Sequence, residues 1–351
     1  MQPIRLLILG TGGMAKTHAE NFAAIPGVSL VAGIDTRPEQ LAAFLATHGI
    51  PHGFASVDQA LAWGEFDAVA NVTPDAAHYA TTLPFLAAGK HVLCEKPLAT
   101  SAAHAAEMAE TAARAGVVNM VNLTYRHVPA LYQGAKLVRE GAIGEVRHLE
   151  ASYLQSWLTQ AAWGHWDREQ QWLWRLSTAH GSKGVLGDVG IHILDFATFV
   201  AGLDVVEVSC LLQTFDKAPG GRIGEYVLDA NDSATMQVRL SNSALGTVAA
   251  TRFASGHLND LRIRLYGLTG GVEVSYENAV SKLRVSLGDD IHTGTWVEVD
   301  CPPVPMVFQR FIAAIRGEGA PDPDFARGAA LQRLLDRAES SAAQGGLLLK
   351  V

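Results

Sequence analysis

Two short stretches of this chain carry side chains that could do chemistry. "GDVGIHILD" at 187–195 sets Asp188 four positions before His192, and "CEKPL" at 94–98 carries Lys96. An acid and an imidazole at i and i+4 share one face of a helix. They read as a cap beside a buried histidine, as two metal ligands, or as halves of a catalytic site. A histidine near its ordinary pKa can take or give a proton near neutrality. A lysine can hold an oxygen and stabilise negative charge on it, and a nearby aspartate biases protonation and orientation. Asp195, further along the same run, reads as a structural acid. A metal centre would need a third ligand at a recognisable spacing. His165 and His180 lie upstream without one, so no metal is expected.

The elements that must position these groups follow from hydrophobic patterning. At 351 residues the chain is long for one core, so two domains are expected, over 1–124 and 125–351. Nearly continuous apolar runs at 4–9, 28–35, 66–73, 91–96 and 117–123 read as strands covered on both faces. Helical patterns lie between them, through Phe22, after Pro38, and over 75–88 and 101–115. This alternation predicts a doubly wound parallel sheet, an α/β domain of the Rossmann type. After a helix at 129–140, alternating runs such as "EVRHLEASYLQ", "ATMQVRL", "LGTVAATRF", "DLRIRLYG" and "GVEVSY" predict an α+β domain with a largely antiparallel sheet. The tail from 324 to 344 reads as an amphipathic helix.

Within the first domain, "GTGGMA" at 10–15 follows a strand and opens a helix, and Asp35 ends the next strand twenty residues past Ala15. Gly10 suits the tight turn, and Gly12 lets backbone approach a pyrophosphate at the helix N-terminus, with Thr11, Gly13 and Met14 beside it. Ala15 permits close helix–strand packing. Asp35 can accept from a ribose diol and would repel a 2′-phosphate, which favours NAD. Arg37 lies close enough to tolerate that phosphate, so NADP remains possible. Lys96 closes the strand expected at 91–96, where ligands of open α/β sheets lie. Pro97 restricts its backbone, and Glu95 suits an amide or hydroxyl partner. In isolation, the same tripeptide reads as a surface ion pair before a helix.

Gly10–Ala15, Asp35, "EKP" at 95–97 and "DVGIHILD" at 188–195 together resemble the glucose–fructose oxidoreductase / inositol dehydrogenase / rhizopine-catabolism family of NAD(P)-dependent sugar oxidoreductases, in order along the whole chain. The resemblance implies a Rossmann domain followed by an open, mostly antiparallel sheet that often mediates oligomerisation, as a homodimer or homotetramer. It implies His192 as acid/base, Lys96 as orienting and proton-relay group, and Asp188 as their tuner. It also places Thr73, Pro74 and His78 of "TPDAAH" around the nicotinamide half of the cofactor, and Trp174 and Arg175 against the cofactor. Arg126 of "TYRHVPA" is implied to face the active-site cleft. Which of Lys96 and His192 takes the first proton stays open.

Five of the seven tryptophans fall in 157–174. Aromatic faces suit the apolar faces of sugars, which makes Trp163 and Trp166 candidate substrate contacts. A structural arm or subunit contact would use tryptophan as well. The leading expectation is hydride transfer between a nicotinamide and a sugar or polyol. A redox-neutral glycosidase or lyase with bound NAD is a second, and a dinucleotide-sensing regulator a third. A net charge of −8 without a basic stripe speaks against nucleic acid or an anionic membrane, and no apolar stretch is long enough to span one. Three dispersed cysteines and the absence of a signal segment predict a cytoplasmic protein.

Overall fold

An unbroken apolar run is stable where both its faces are covered, and Ile4–Leu9 forms such a strand (β1) in the computed structural model, which describes residues 3–351. It joins β2 (Val28–Ile34), β3 (His52–Phe54), β4 (Ala68–Asn71), β5 (His91–Cys94) and β6 (Asn119–Val121) in a parallel sheet ordered β3-β2-β1-β4-β5-β6. The connections are α1 (Gly13–Ala23), α2 (Pro38–His48), α3 (Val57–Trp63), α4 (His78–Ala87) and α5 (Ala102–Ala115). Ser56 and Ser101 begin α3 and α5 by accepting from the backbone N–H groups of Gln59 and His104. β3 and α3 escaped the sequence reading, because "HGF" is three residues long with two of them exposed.

Register explains what this sheet delivers. Leu9 pairs with Ile34 and Asn71, Asn71 with Cys94, and Cys94 with Val121. Gly10, Asp35, Val72, Glu95 and Asn122 therefore leave the sheet as one row along its carboxyl edge. The order reverses between β1 and β4, so this edge includes the switch point where open α/β sheets hold ligands.

The second unit contains α6 (Pro129–Arg139), β7 (Val146–Gln155), α7 (Gln170–Leu173) and α8 (Ile191–Ala201). β8 (Val205–Gln213) follows, then the short pair β9 (Arg222–Ile223) and β10 (Tyr226–Val227). The rest comprises β11 (Ser233–Leu240), β12 (Leu245–Thr251), β13 (Asn259–Gly267), β14 (Gly270–Glu277), β15 (Val280–Leu287), α9 (Asp290–Thr293) and β16 (Val297–Val299). With β17 (Leu349–Lys350), nine strands form one sheet in the order β16-β15-β14-β13-β7-β12-β11-β8-β17. Burial alternates along β7, with Leu149, Ala151 and Tyr153 on the covered face. The sheet is mostly antiparallel, as patterning implied, but β12 pairs with β7 in parallel. Alternation is the same for either direction of a neighbour, so the pattern could not reveal this.

One expectation needs correction. The second domain is not the contiguous stretch 125–351, because Pro305–Gln332 groups with the residues up to Thr124. In that returning segment α10 (Val307–Ile315) turns Phe308 and Phe311 onto Phe22 of α1, with ring centroids 5.2 and 6.2 Å away. An amphipathic helix must bury its apolar stripe somewhere, and α1 supplies the partner. The tail helix, α11 (Phe325–Ala343), begins against β6, where a Cβ on Gly328 would stand 2.7 Å from Val121. Among the described residues, no helix is long and apolar enough to cross a membrane.

Candidate functional site

The glycine-rich turn separates two requirements. Gly10 has φ +86°, and a Cβ there would lie 2.9 Å from the Val72 carbonyl oxygen. Its need for glycine is thus internal to the protein. Gly12 and Gly13 have negative φ and no atom within 4 Å of a built Cβ. Nothing in the protein demands glycine there, whereas a pyrophosphate approaching the N-terminus of α1 would. Ala15 is fully buried and Met14 is exposed. The turn therefore fits a dinucleotide. Gly10→Ala is expected to cost about 1–3 kcal/mol of stability. Gly12→Ala should leave the melting temperature unchanged and weaken NADH binding by about tenfold or more, about 1.4 kcal/mol. Thermal melts and fluorescence titration of both variants check the contrast.

Asp35 is nearly buried and heavily bonded. The backbone N–H and the hydroxyl of Thr11 donate to Oδ2 at 2.9 and 2.7 Å. Arg37 donates from its backbone N–H (2.9 Å), Nε (3.0 Å) and Nη2 (3.0 Å). Burial alone would raise the pKa of this carboxyl, but the hydrogen bonds from Arg37 and Thr11 outweigh it and hold the group well below the usual range. Asp35 is thus a full anion, while Arg37 stays largely exposed beside it.

Further along the same edge the structure places Thr73 just after β4 and Glu95 and Lys96 just after β5, with His78 opening α4. Thr73 donates its N–H and hydroxyl to Asn71 Oδ1 (3.1 and 2.7 Å), and Asn71 Nδ2 donates to the hydroxyls of Thr81 and Thr82 on α4. Pro74 leads into the turn at 75–77 that precedes α4. His78 was expected at the cofactor, yet it is fully buried, with its ring nitrogens on the carbonyls of Pro97 and Thr73. Glu95 has its amide partner within the protein: Asn122 Nδ2 donates at 2.6 Å and His18 Nε2 lies 2.7 Å away. Burial pushes the Glu95 carboxyl up, but His18 and Asn122 bring it down to about 2. Glu95 therefore acts by fixing the backbone next to Lys96, whose own N–H reaches Glu95 Oε2 at 3.2 Å. Lys96 is half-buried.

In the second unit Asp188 is not a helix cap. It lies inside a π-helical turn, Leu186–Gly190, that runs straight into α8. Such single turns often mark functional positions. Arg175 Nη1 lies 3.2 Å from both Asp188 oxygens, and Arg252 Nη2 donates to Oδ2 at 3.1 Å. Arg252 is wholly buried, and its Nη1 also donates to the Arg175 carbonyl. The Arg175 guanidinium lies 4.8 Å from the ring centre of Trp174, which is 38% exposed. Trp163 and Trp166, by contrast, pack against a small core of Trp157, Leu158, Leu176 and Leu228. Trp166 donates its indole N–H to the Leu158 carbonyl. Packing therefore accounts for these two rings, and Trp174 is the more accessible one.

His192 sits on α8 with only 8% of its surface exposed. The Tyr125 ring meets it perpendicularly, with centroids 5.1 Å apart, and Tyr153 lies at 6.5 Å. Three side chains close a hydrogen-bonded ring here. Tyr125 bonds to Tyr153, Tyr153 donates to Asn259 Oδ1 (2.6 Å), and Asn259 Nδ2 donates to the Tyr125 oxygen (2.7 Å). Burial raises the pKa of both phenols, and the charge of Asp188 raises them further. Both therefore stay protonated, and Asp188 and His192 share one neighbourhood.

Arg126 departs from expectation. It does not face an open cleft but is 2% exposed, donating to Asp195 from Nε (2.6 Å) and Nη2 (2.9 Å) under the Phe199 ring. A bidentate guanidinium–carboxylate fork is the usual way to bury such a charge. Asp195 is thus the structural acid that its position suggested. Sequence reasoning missed His18, Asn122, Tyr125, Tyr153, Arg252 and Asn259. Tyr125 stood beside Arg126 in a noted motif; the others carry no local signal.

Residues 4–123 match an oxidoreductase family with an NAD-binding Rossmann fold, and residues 133–273 match the GFO/IDH/MocA C-terminal domain. Levoglucosan dehydrogenase of Pseudarthrobacter phenanthrenivorans is 27% identical over 312 residues, covering 83% of this chain and 78% of that protein. D-glucoside 3-dehydrogenase of Escherichia coli is 31% identical over 252 residues, covering 70% and 66%. Among solved structures, an oxidoreductase domain protein from Kribbella flavida is similar with a TM-score of 0.87, 30% identity and full coverage of both chains. Levoglucosan dehydrogenase in complex with NADH and L-sorbose gives 0.86 at 26% identity, covering 100% of this chain and 99% of that one. With both domain descriptions matched in order, the chain belongs to the Gfo/Idh/MocA family of NAD-binding oxidoreductases.

Proposed function

We propose that the protein transfers hydride between NAD and a secondary hydroxyl of a monosaccharide, polyol or sugar derivative. One observation carries this reading. The turn open at Gly12 and Gly13, anionic Asp35 and Lys96 all lie along one carboxyl edge of one sheet. The dinucleotide, when bound, supplies the hydride acceptor. Gly12 and the first turn of α1 receive the pyrophosphate, and Asp35 accepts from the adenosine ribose. Lys96 Nζ donates to the substrate oxygen and stabilises negative charge on it. A ring nitrogen of His192 takes the hydroxyl proton, or returns it in the reductive direction. Asp188, braced by Arg175 and Arg252, holds the electrostatic setting of that exchange. The names of the relatives support the substrate class, since levoglucosan and glucosides are both sugar derivatives.

The same reading extends to a cytoplasmic homo-oligomer assembled through the nine-stranded sheet, with the unpaired cysteines favouring a reducing compartment. A panel of sugars, polyols and glycosides, assayed at 340 nm with NAD and NADP in parallel, tests the activity. Turnover with NAD should exceed that with NADP, because Asp35 is anionic. Substrate consumption without accumulation of NADH would overturn net oxidation and point to redox-neutral chemistry. Undiminished turnover in Lys96→Ala would remove that residue from the mechanism.

A further inference from the structure

His78 satisfies two acceptors at once. Its Nδ1 lies 2.7 Å from the Pro97 carbonyl oxygen and its Nε2 2.9 Å from the Thr73 carbonyl oxygen, with the residue wholly buried. Carbonyl oxygens only accept. A neutral imidazole has one N–H, so one of these contacts would set lone pair against lone pair in a dry interior. Turning the ring over does not help, because C–H groups would then replace both nitrogens. The imidazolium, with a donor at each nitrogen, satisfies both contacts.

The surroundings suit that cation. Asp75, on the turn before α4, and the Cys94 sulfur, at the end of β5, both act on the ring, and Thr82 Oγ1 lies 3.9 Å from that sulfur. Burial opposes the charge, but Cys94, Asp75 and the Pro97 carbonyl outweigh it and raise the pKa to about 10.

We propose that His78 is an internal double donor, a positioning residue that ties the segment after β4 to the segment after Lys96. The imidazole ring fixes the distance between its two nitrogens, so it sets the separation of the two carbonyls in a way that a single amide group cannot. One tied segment packs against Gly10, whose Cβ position is 3.0 Å from the Thr73 N–H nitrogen. The other carries Lys96. Holding both is what pre-organisation of the nicotinamide end requires; this consequence rests on the proposed hydride transfer, whereas the protonation pattern does not.

The test uses the full, cofactor-free chain labelled with 15N-histidine. Long-range proton–nitrogen correlation from about pH 6 to pH 9 should show one ring with both nitrogens protonated throughout, across the span where an ordinary histidine titrates. The pair is assigned by its loss in His78→Gln, or by its displacement in Asp75→Asn if the first variant does not fold. A ring with one unprotonated nitrogen, or one that titrates in this span, overturns the double donor. In His78→Gln, NADH binding followed by fluorescence should weaken roughly tenfold, with kcat falling by a similar or larger factor. Unchanged NADH affinity and kcat would overturn the positioning role even if the imidazolium is present. The spectra need neither cofactor nor substrate, so their failure is distinct from failure of the hydride-transfer reading.

Discussion

His192→Asn is expected to lower kcat by roughly 10²–10⁴-fold, the usual worth of a positioned general acid or base. NADH affinity should stay unchanged. The imidazole is almost enclosed and meets Tyr125 perpendicularly, and asparagine keeps a polar side chain of smaller volume in the same place. Tyr125 does not replace the lost base. Its phenol is committed to the ring with Tyr153 and Asn259, and burial holds its pKa above the ordinary tyrosine value. Steady-state rates with the best substrate of the panel, compared with a fluorescence titration of NADH, separate chemistry from binding. A kcat within about threefold of the parent would show that proton transfer does not pass through this ring, because a positioned acid or base contributes far more.

The largest effect on stability is expected at the Arg126–Asp195 pair. Both side chains are almost completely buried, and the guanidinium lies 3.7 Å from the Phe199 ring centre. Removing either partner leaves a charge in the interior, at a cost of about 3–5 kcal/mol. Arg126→Met and Asp195→Leu should each lower the melting temperature by roughly 4–7 °C. The double variant should recover much of that loss, because an apolar pair of similar volume leaves no orphaned charge. Differential scanning calorimetry of the three variants decides the matter. Single variants that melt with the parent would return Arg126 to the role of a ligand-facing residue, as its motif first suggested.

The two ends of the mechanism were unequally legible. The first unit could be read because its information is local. "GTGGMA" between an apolar run and a helix, with Asp35 at the next strand end, encodes a turn, a helix start and an acid within about 26 consecutive residues. Lys96 was found in the same way, since parallel strands in register bring their carboxyl ends to one edge. The strands of the second unit were visible as alternation, although their order and the parallel pairing of β12 with β7 were not. Residues 305–332 were misassigned because helical periodicity shows that α10 has an apolar face without showing which core receives it.

The sequence by itself thus determined most of the element types and the glycine-rich turn, and singled out residues whose chemistry suits proton transfer. Tertiary structure alone decided what each polar group is bonded to. Asp188 meets Arg252 across 64 residues, Arg126 meets Asp195 across 69, and His18 meets Glu95 across 77. His78, which its motif placed around the cofactor, and Glu95, which suited an amide or hydroxyl partner, both spend hydrogen bonds inside the protein. The physical reason is general. Backbone preference and hydrophobic period act over a few neighbouring residues, whereas a buried donor or acceptor must be satisfied by whatever the fold brings beside it.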